Sequence, residues 1–195
     1  MGIPFKKPVL LFLFLSFFSI VSQGQPLRLK RATDVCNPDS VVLGRISPNF
    51  IGSNLSGLQT PISSLRGSFV VIMVWATDIH SSQVEYPYFK KLRAEYSSKK
   101  LQFLDIAVDK DKEDWEFYFR QNPESGLHWY IDPLKPPFSF YLLKRKDRGE
   151  HTYFTYTVPQ FIILNPEGRI VENRTSFFPS DTARFNRLVR SLPNP

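Results

Sequence analysis

Residues 75–87 read WATDIHSSQVEYP. The stretch joins two segments of opposite periodicity. Upstream, SFVVIMVW (Ser68–Trp75) is an unbroken run of β-branched and apolar side chains. Such a run predicts a strand buried on both faces, in the middle of an α/β sheet. Downstream, in Ser81–Ser98, Val84, Tyr88, Phe89, Leu92 and Tyr96 recur at helical spacing with Lys90, Lys91, Arg93 and Glu95 between them. That pattern predicts an amphipathic helix, with Ser81 or Ser82 capping its start and Pro87 bending it.

Working outward, LQFLDIAV (Leu101–Val108) predicts a second buried strand. A strand–helix–strand unit of this kind implies parallel strands with a right-handed crossover. Asp109–Asn122 predicts a loop and then a helix with Trp115, Tyr118 and Phe119 on one side. On the N-terminal side, Pro48–Gly67 predicts two short extended pieces joined by a turn at Ser56–Gly57, then a helical turn over Ile62–Leu65. Residues 123–137 are rich in proline and predicted irregular, and Phe138–Leu143 and Thr152–Val158 are predicted to pair around the basic loop KRKDRGEH. Val158–Asn173 predicts a hairpin with its turn at Pro166–Gly168. Ser180–Leu192 predicts a closing helix through the stripe Phe185, Leu188, Val189 and Leu192. The expected class is α/β with a mixed sheet, and no internal repeat is present.

The chain has 195 residues, 42% apolar and 15% aromatic, which suits one domain with extensions and argues against disorder. Residues 1–24 have the layout of a secretory signal peptide. Lys6 and Lys7 precede an uncharged apolar run, Val9–Val21, and the small residues Ser22 and Gly24 follow. The run is short for a membrane span, which needs about 20 apolar residues, although an uncleaved anchor is the alternative. Removal of two lysines takes the formal charge from +7 to +5 (7 − 2). The positive charge is scattered, with bunches at Arg28–Lys30–Arg31 and Lys144–Arg148. No nucleic-acid-binding signature accompanies it. Cys36 is the one cysteine, so the chain forms no internal disulfide and the fold must stand on its core. Residues 25–43 read as a polar extension and residues 44–195 as the domain, with an insertion over about 123–157.

Four segments in matching order resemble the thioredoxin-like superfamily, specifically its exported redoxins of the TlpA/ResA type, related to the alkyl hydroperoxide reductase and thiol-specific antioxidant family. Pro48–Asn49–Phe50 resembles the family's A-P-D-F opening, and Leu65–Arg66–Gly67 before Phe69–Ile72 resembles its L-K-G-K-x-V-V-L lead-in. WATDIHSSQVEYP resembles W-A-[ST]-W-C-x-x-C-x-x-E-x-P, and VPQFIILNPEGRIV resembles V-P-x-x-F-L-I-D-x-x-G-x-I-V. The resemblance covers residues 44–192 and implies a three-layer α/β/α sandwich around a mixed sheet.

It also locates a departure. Trp75, Ala76, Thr77, Glu85 and Pro87 match the pattern, whereas Ile79 stands at the first cysteine position, Ser82 at the second, and Asp78 where the family has tryptophan. In the family the first cysteine sits at a helix N-terminus that favours its thiolate, and the second resolves the mixed disulfide. Isoleucine offers no nucleophile, and no catalytic residue is expected. Pro159 matches the family's cis proline, whose preceding residue, here Val158, offers backbone hydrogen bonds to an extended polypeptide. The expected binding residues are therefore Trp75, Asp78, His80, Val158 and Pro159, although Trp75 reads first as support beneath the loop.

The first functional expectation is a redox-inactive, exported, most simply periplasmic domain that binds a protein or peptide, without cofactor. The alternative is an oxidoreductase acting through Cys36 or a partner's thiols. A Ser–His hydrolase at His80 with Ser81 or Ser82 lacks a placed acid. A metal site from His80, His128 and His151 lacks ligand spacing. An envelope-associated role through Lys144–Arg148 is a further alternative. Asn54–Leu55–Ser56 and Asn173–Arg174–Thr175 match a glycosylation sequon and read as coincidence, since the resemblance points to a bacterium.

Overall fold

The computed structural model describes residues 42–98, 100–142, 144–148, 151–174 and 178–192, with the side chains of 144–148, 151–154 and 174 excepted. The expected signal peptide over residues 1–24, Cys36, most of the expected 25–43 extension and the side chains of the basic run lie outside this description. In chain order the elements are β1 (Ile51–Asn54), β2 (Gln59–Pro61), a 3-10 turn (Ile62–Leu65), β3 (Phe69–Trp75), α1 (His80–Tyr96), β4 (Leu101–Ala107), α2 (Lys112–Gln121) and β5 (Leu127–Tyr130). Then come α3 (Ser139–Leu142), β6 (Lys144–Arg148), β7 (His151–Thr155), β8 (Gln160–Leu164), β9 (Ile170–Arg174) and α4 (Thr182–Ser191).

Seven strands form one sheet in the order β2-β1-β5-β4-β3-β8-β9, and β6 and β7 pair as a separate two-stranded sheet. β3 is parallel to β4 and antiparallel to β8, and β8 is antiparallel to β9, so the sheet is mixed. Every residue of β3 and of β8 is buried, as two-sided burial of the central strands requires.

The alternation of β3 splits the core into two apolar clusters. Val71, Met73 and Trp75 face Tyr86, Phe89 and Leu92 of α1, Trp115 and Phe119 of α2, and Phe185 and Val189 of α4. Val70, Ile72 and Val74 face the other way, toward Phe50, Ile62, Phe138, Tyr141 and Leu142. The three long helices among the described residues therefore share one face. The opposite layer is thin, supplied by the 3-10 turn and the four-residue α3.

The main elements match the sequence reading within a few residues, and the departures have local causes. The chain over 127–130 is a strand rather than irregular coil, and it pairs parallel with β4 from Leu104↔Leu127 to Ala107↔Tyr130. Its four residues are too few to display a period between Gly126 and the prolines that follow. Within the expected strand Phe138–Leu143, the described residues 138–142 are not a strand, because the amide N–H of Ser139 donates to Lys135 O and that of Phe140 to Pro137 O, which winds them into a turn of helix. The partner of β7 is instead the basic run itself, from Lys144↔Thr155 to Arg148↔His151.

Helix α1 starts without a side-chain cap, on Ile79, and continues through Pro87. Its buried face carries Ser82, Glu85, Tyr86, Phe89 and Leu92, whereas Val84 and Tyr88 face solvent. The polar Ser82 and Glu85 have polar partners inside, so apolarity alone misplaced the helix by part of a turn. The turn after β1 is held by Asn54, whose Oδ1 accepts from the amides of Ser56 and Leu58, with Gly57 at φ +81° where a left-handed residue is required.

Gly52 on β1 is buried with its Cα against the ring of Trp129, and a Cβ there would overlap the indole. Gly52→Ala is expected to cost about 1–3 kcal/mol, the usual range for overpacking. Urea unfolding measures it, and a loss below a few tenths of a kcal/mol would show that the indole yields freely. No helix among the described residues is long and apolar enough to cross a membrane.

Candidate functional site

The parallel strands β3 and β4 end side by side, and the chain leaving each forms one wall of a surface groove. The amide of Val108 donates to Trp75 O at 2.9 Å, which holds the two exits together. Ala76, Asp78 and Ile79 come from the first exit, Val108, Asp109 and Lys110 from the second, and Tyr156, Thr157 and Val158 from the segment before β8. They enclose a groove of about 410 Å³.

The 76–82 loop is tightly built. The amide of Thr77 donates to Asp109 Oδ1 at 2.7 Å, and the Thr77 hydroxyl donates to the same oxygen. Gln83 closes the turn by donating from Nε2 to Thr77 O at 2.7 Å. Ser82, 0% exposed, accepts at Oγ from the amide of Ala76 at 3.3 Å. Ser81 donates its hydroxyl to Val158 O at 3.1 Å, tying the helix start to the residue before the cis Val158–Pro159 bond. Both serine hydroxyls thus serve backbone groups rather than His80.

The residues expected at the site divide by position. Asp78, Ile79 and His80 are exposed at the helix start, with Ile79 39% accessible. Val158 lines the groove, and Pro159 is buried beside it. Trp75 lies beneath the loop rather than in the groove, 0% exposed and stacked on Tyr86 at 4.0 Å between ring centroids. Its role is support. His128 is buried on β5 with Nδ1 2.7 Å from Asp105 Oδ2, a setting unrelated to exposed His80. The side chain of His151 lies outside the described residues.

Three residues of the site were missed by sequence reasoning. Asp109 and Tyr156 line the groove. Burial pushes the Asp109 carboxyl above the usual carboxylate range, the Thr77 hydrogen bonds oppose that, and the charge of Asp78 adds to it. The Tyr156 hydroxyl is likewise raised, by burial first and then by Asp78 and Asp109. The third residue is Glu85, whose carboxylate accepts from the amide of Ser180 at 2.9 Å and from its hydroxyl at 2.8 Å. It ties α1 to the start of α4. An aspartate just after a buried strand was the available signal for Asp109, and the family pattern marked Glu85 without its partner; nothing local marked Tyr156.

Strand order, the cis proline at the start of β8 and a helix start beside it define the thioredoxin-like fold. No protein-family model matches the chain. Among curated proteins it is similar to the thiol-disulfide oxidoreductase ResA of Bacillus anthracis, with 26% identity over 137 residues, covering 69% of this chain and 70% of that protein. Its similarity to the ResA of Bacillus subtilis is 21% over 134 residues, covering 69% and 68%. Among solved structures it resembles the thioredoxin domain of a thiol-disulfide oxidoreductase from Bacteroides vulgatus, with TM-score 0.61 and 19% identity, covering 77% of this chain and 99% of that one. It also resembles a thiol:disulfide interchange protein from a Bacteroides species, with TM-score 0.59 and 16% identity, covering 80% and 95%. The solved structures share the thioredoxin-like fold with this chain, and the curated proteins to which it is similar are thiol-disulfide oxidoreductases.

Proposed function

We propose that this chain is an exported thioredoxin-like protein that has given up dithiol chemistry and binds a protein or peptide partner in the groove between Asp78–Ser82 and Tyr156–Pro159. The observation that carries the reading is the occupancy of the helix start. Ile79 is the exposed residue there and Ser82 the buried one three positions on, and the chain's single cysteine, Cys36, lies elsewhere in the sequence. Thiol–disulfide exchange needs an attacking thiolate and a resolving thiol. Neither side chain at this loop supplies sulfur, while the groove beside it remains open. Val158 O, already accepting from Ser81, keeps a second acceptor position for an extended chain. Export, to a periplasm in the simplest case, rests on the charge and apolar pattern of residues 1–24.

The kinship with oxidoreductases favours one competing reading, in which Cys36 or a partner's thiol does the chemistry. Dithiothreitol-driven insulin reduction separates them. The chain and its Cys36→Ser variant are both expected at the background rate. Activity above background that disappears in Cys36→Ser would replace this reading with a one-cysteine oxidoreductase.

A further inference from the structure

The groove carries an electrostatic feature that peptide binding alone does not require. Asp109 is 3% exposed and lines the groove, and its Oδ1 takes both hydrogen bonds from Thr77. Its Oδ2 is buried with no hydrogen-bond partner among the described residues. An unpartnered buried carboxylate oxygen is costly, about 1–3 kcal/mol, and a donor entering the groove would relieve it. Asp78 stands exposed on the neighbouring wall, close enough for its charge to act on Asp109, and both charges act on Tyr156. Two carboxylates and a half-accessible tyrosine ring therefore border one groove whose remaining lining includes Ile79, Val108 and Val158. Lys110 is exposed on the same lining and makes no ion pair with either aspartate among the described residues. All this sits on a chain whose net charge is +7, so the spot is a local inversion of sign.

From these residues we infer that the groove selects a basic side chain, lysine or arginine, of an extended polypeptide, its cationic head between Asp78, Asp109 Oδ2 and the Tyr156 ring and its aliphatic stem along Ile79 and Val158. Charge-assisted hydrogen bonds to carboxylates and cation–π contact with tyrosine are the interactions suited to such a head, and long basic side chains lay their methylenes on apolar surface. The inference rests on the proposed peptide-binding reading and names the class of peptide.

The test is fluorescence anisotropy with short labelled peptides, identical except for one central residue: Lys, Arg, norleucine or Glu. The Lys and Arg peptides are expected to bind, and norleucine, which keeps the stem and loses the charge, to bind about tenfold more weakly. Asp78→Asn and Tyr156→Leu alter exposed side chains, and Asp109→Asn keeps the Oδ1 acceptor for Thr77. Each is expected to weaken Lys-peptide binding by a larger factor than norleucine-peptide binding, which narrows the gap between the two peptides. Equal affinity for the norleucine and Lys peptides would overturn the basic-residue inference and leave the groove reading standing. Failure of every peptide to bind the folded chain would overturn both.

Discussion

Asp105→Ala is expected to destabilise the chain by about 3–5 kcal/mol, the range for removing one partner of a buried ion pair. Asp105 is 0% exposed in the middle of β4. Its Oδ2 accepts from Arg93 Nη1 at 3.2 Å and from the Tyr86 hydroxyl at 3.2 Å, and lies 2.7 Å from His128 Nδ1. Glu124 continues the cluster, accepting from Arg93 Nη2 at 2.7 Å and from Tyr86 at 2.9 Å. Burial and the two carboxylates, opposed by Arg93, hold the Tyr86 phenol far above its ordinary range, so it keeps its proton and donates to both carboxylates. One term opposes the loss. Asp105 Oδ1 has no partner among the described residues, and truncation removes that burden of about 1–3 kcal/mol. It also leaves the buried Arg93 with half its counter-charge and two donors with less to bond, and that side wins. Asp105→Asn, which keeps an acceptor, is expected to lose less than Asp105→Ala. Urea unfolding at unchanged m-value measures both. A loss below about 1 kcal/mol for Asp105→Ala would mean the cluster barely outweighs its own desolvation.

The second large effect is a gain. The double variant Ile79→Cys with Ser82→Cys is expected to turn a background insulin-reduction rate into a clear catalytic one. The geometry favours it on three counts. Position 79 is exposed at the start of a 17-residue helix, where unpaired amides and the helix dipole lower a thiol's pKa. Position 82 is buried one turn on, as a resolving thiol should be. Neither native side chain is large enough or bonded strongly enough to make the exchange costly, since Ser82 makes one 3.3 Å contact to the Ala76 amide. Each single variant is expected to stay near background, because a lone thiol halts at the mixed disulfide. A double variant that folds, forms its disulfide and still shows only background activity would mean that the surrounding groove has also drifted from the chemistry.

The parts of the fold legible in the sequence are those that repeat. The buried run of β3, the helical spacing of α4 and the turn residues of the β8–β9 hairpin each carry a periodic or punctuating signal. β5 carried none, because its four residues depend on β4 for their place in the sheet. The site was legible where it follows the chain and illegible where it crosses it. Residues 76–80 were readable as a loop between strand and helix. The bond from Thr77 to Asp109 spans 32 positions, and that from Glu85 to Ser180 spans 95. Pairings at such separations are set by tertiary packing, which no local pattern of the sequence displays.

The most direct measurement is an amide chemical-shift titration of the isotope-labelled chain with a cysteine-free, unfolded polypeptide rich in lysine. The account expects saturable shifts confined to residues 76–82, 108–110, 156–158 and 160, unchanged in Cys36→Ser. Shifts scattered over the surface, or none at any concentration, would contradict the claim that this groove binds polypeptide without thiol chemistry.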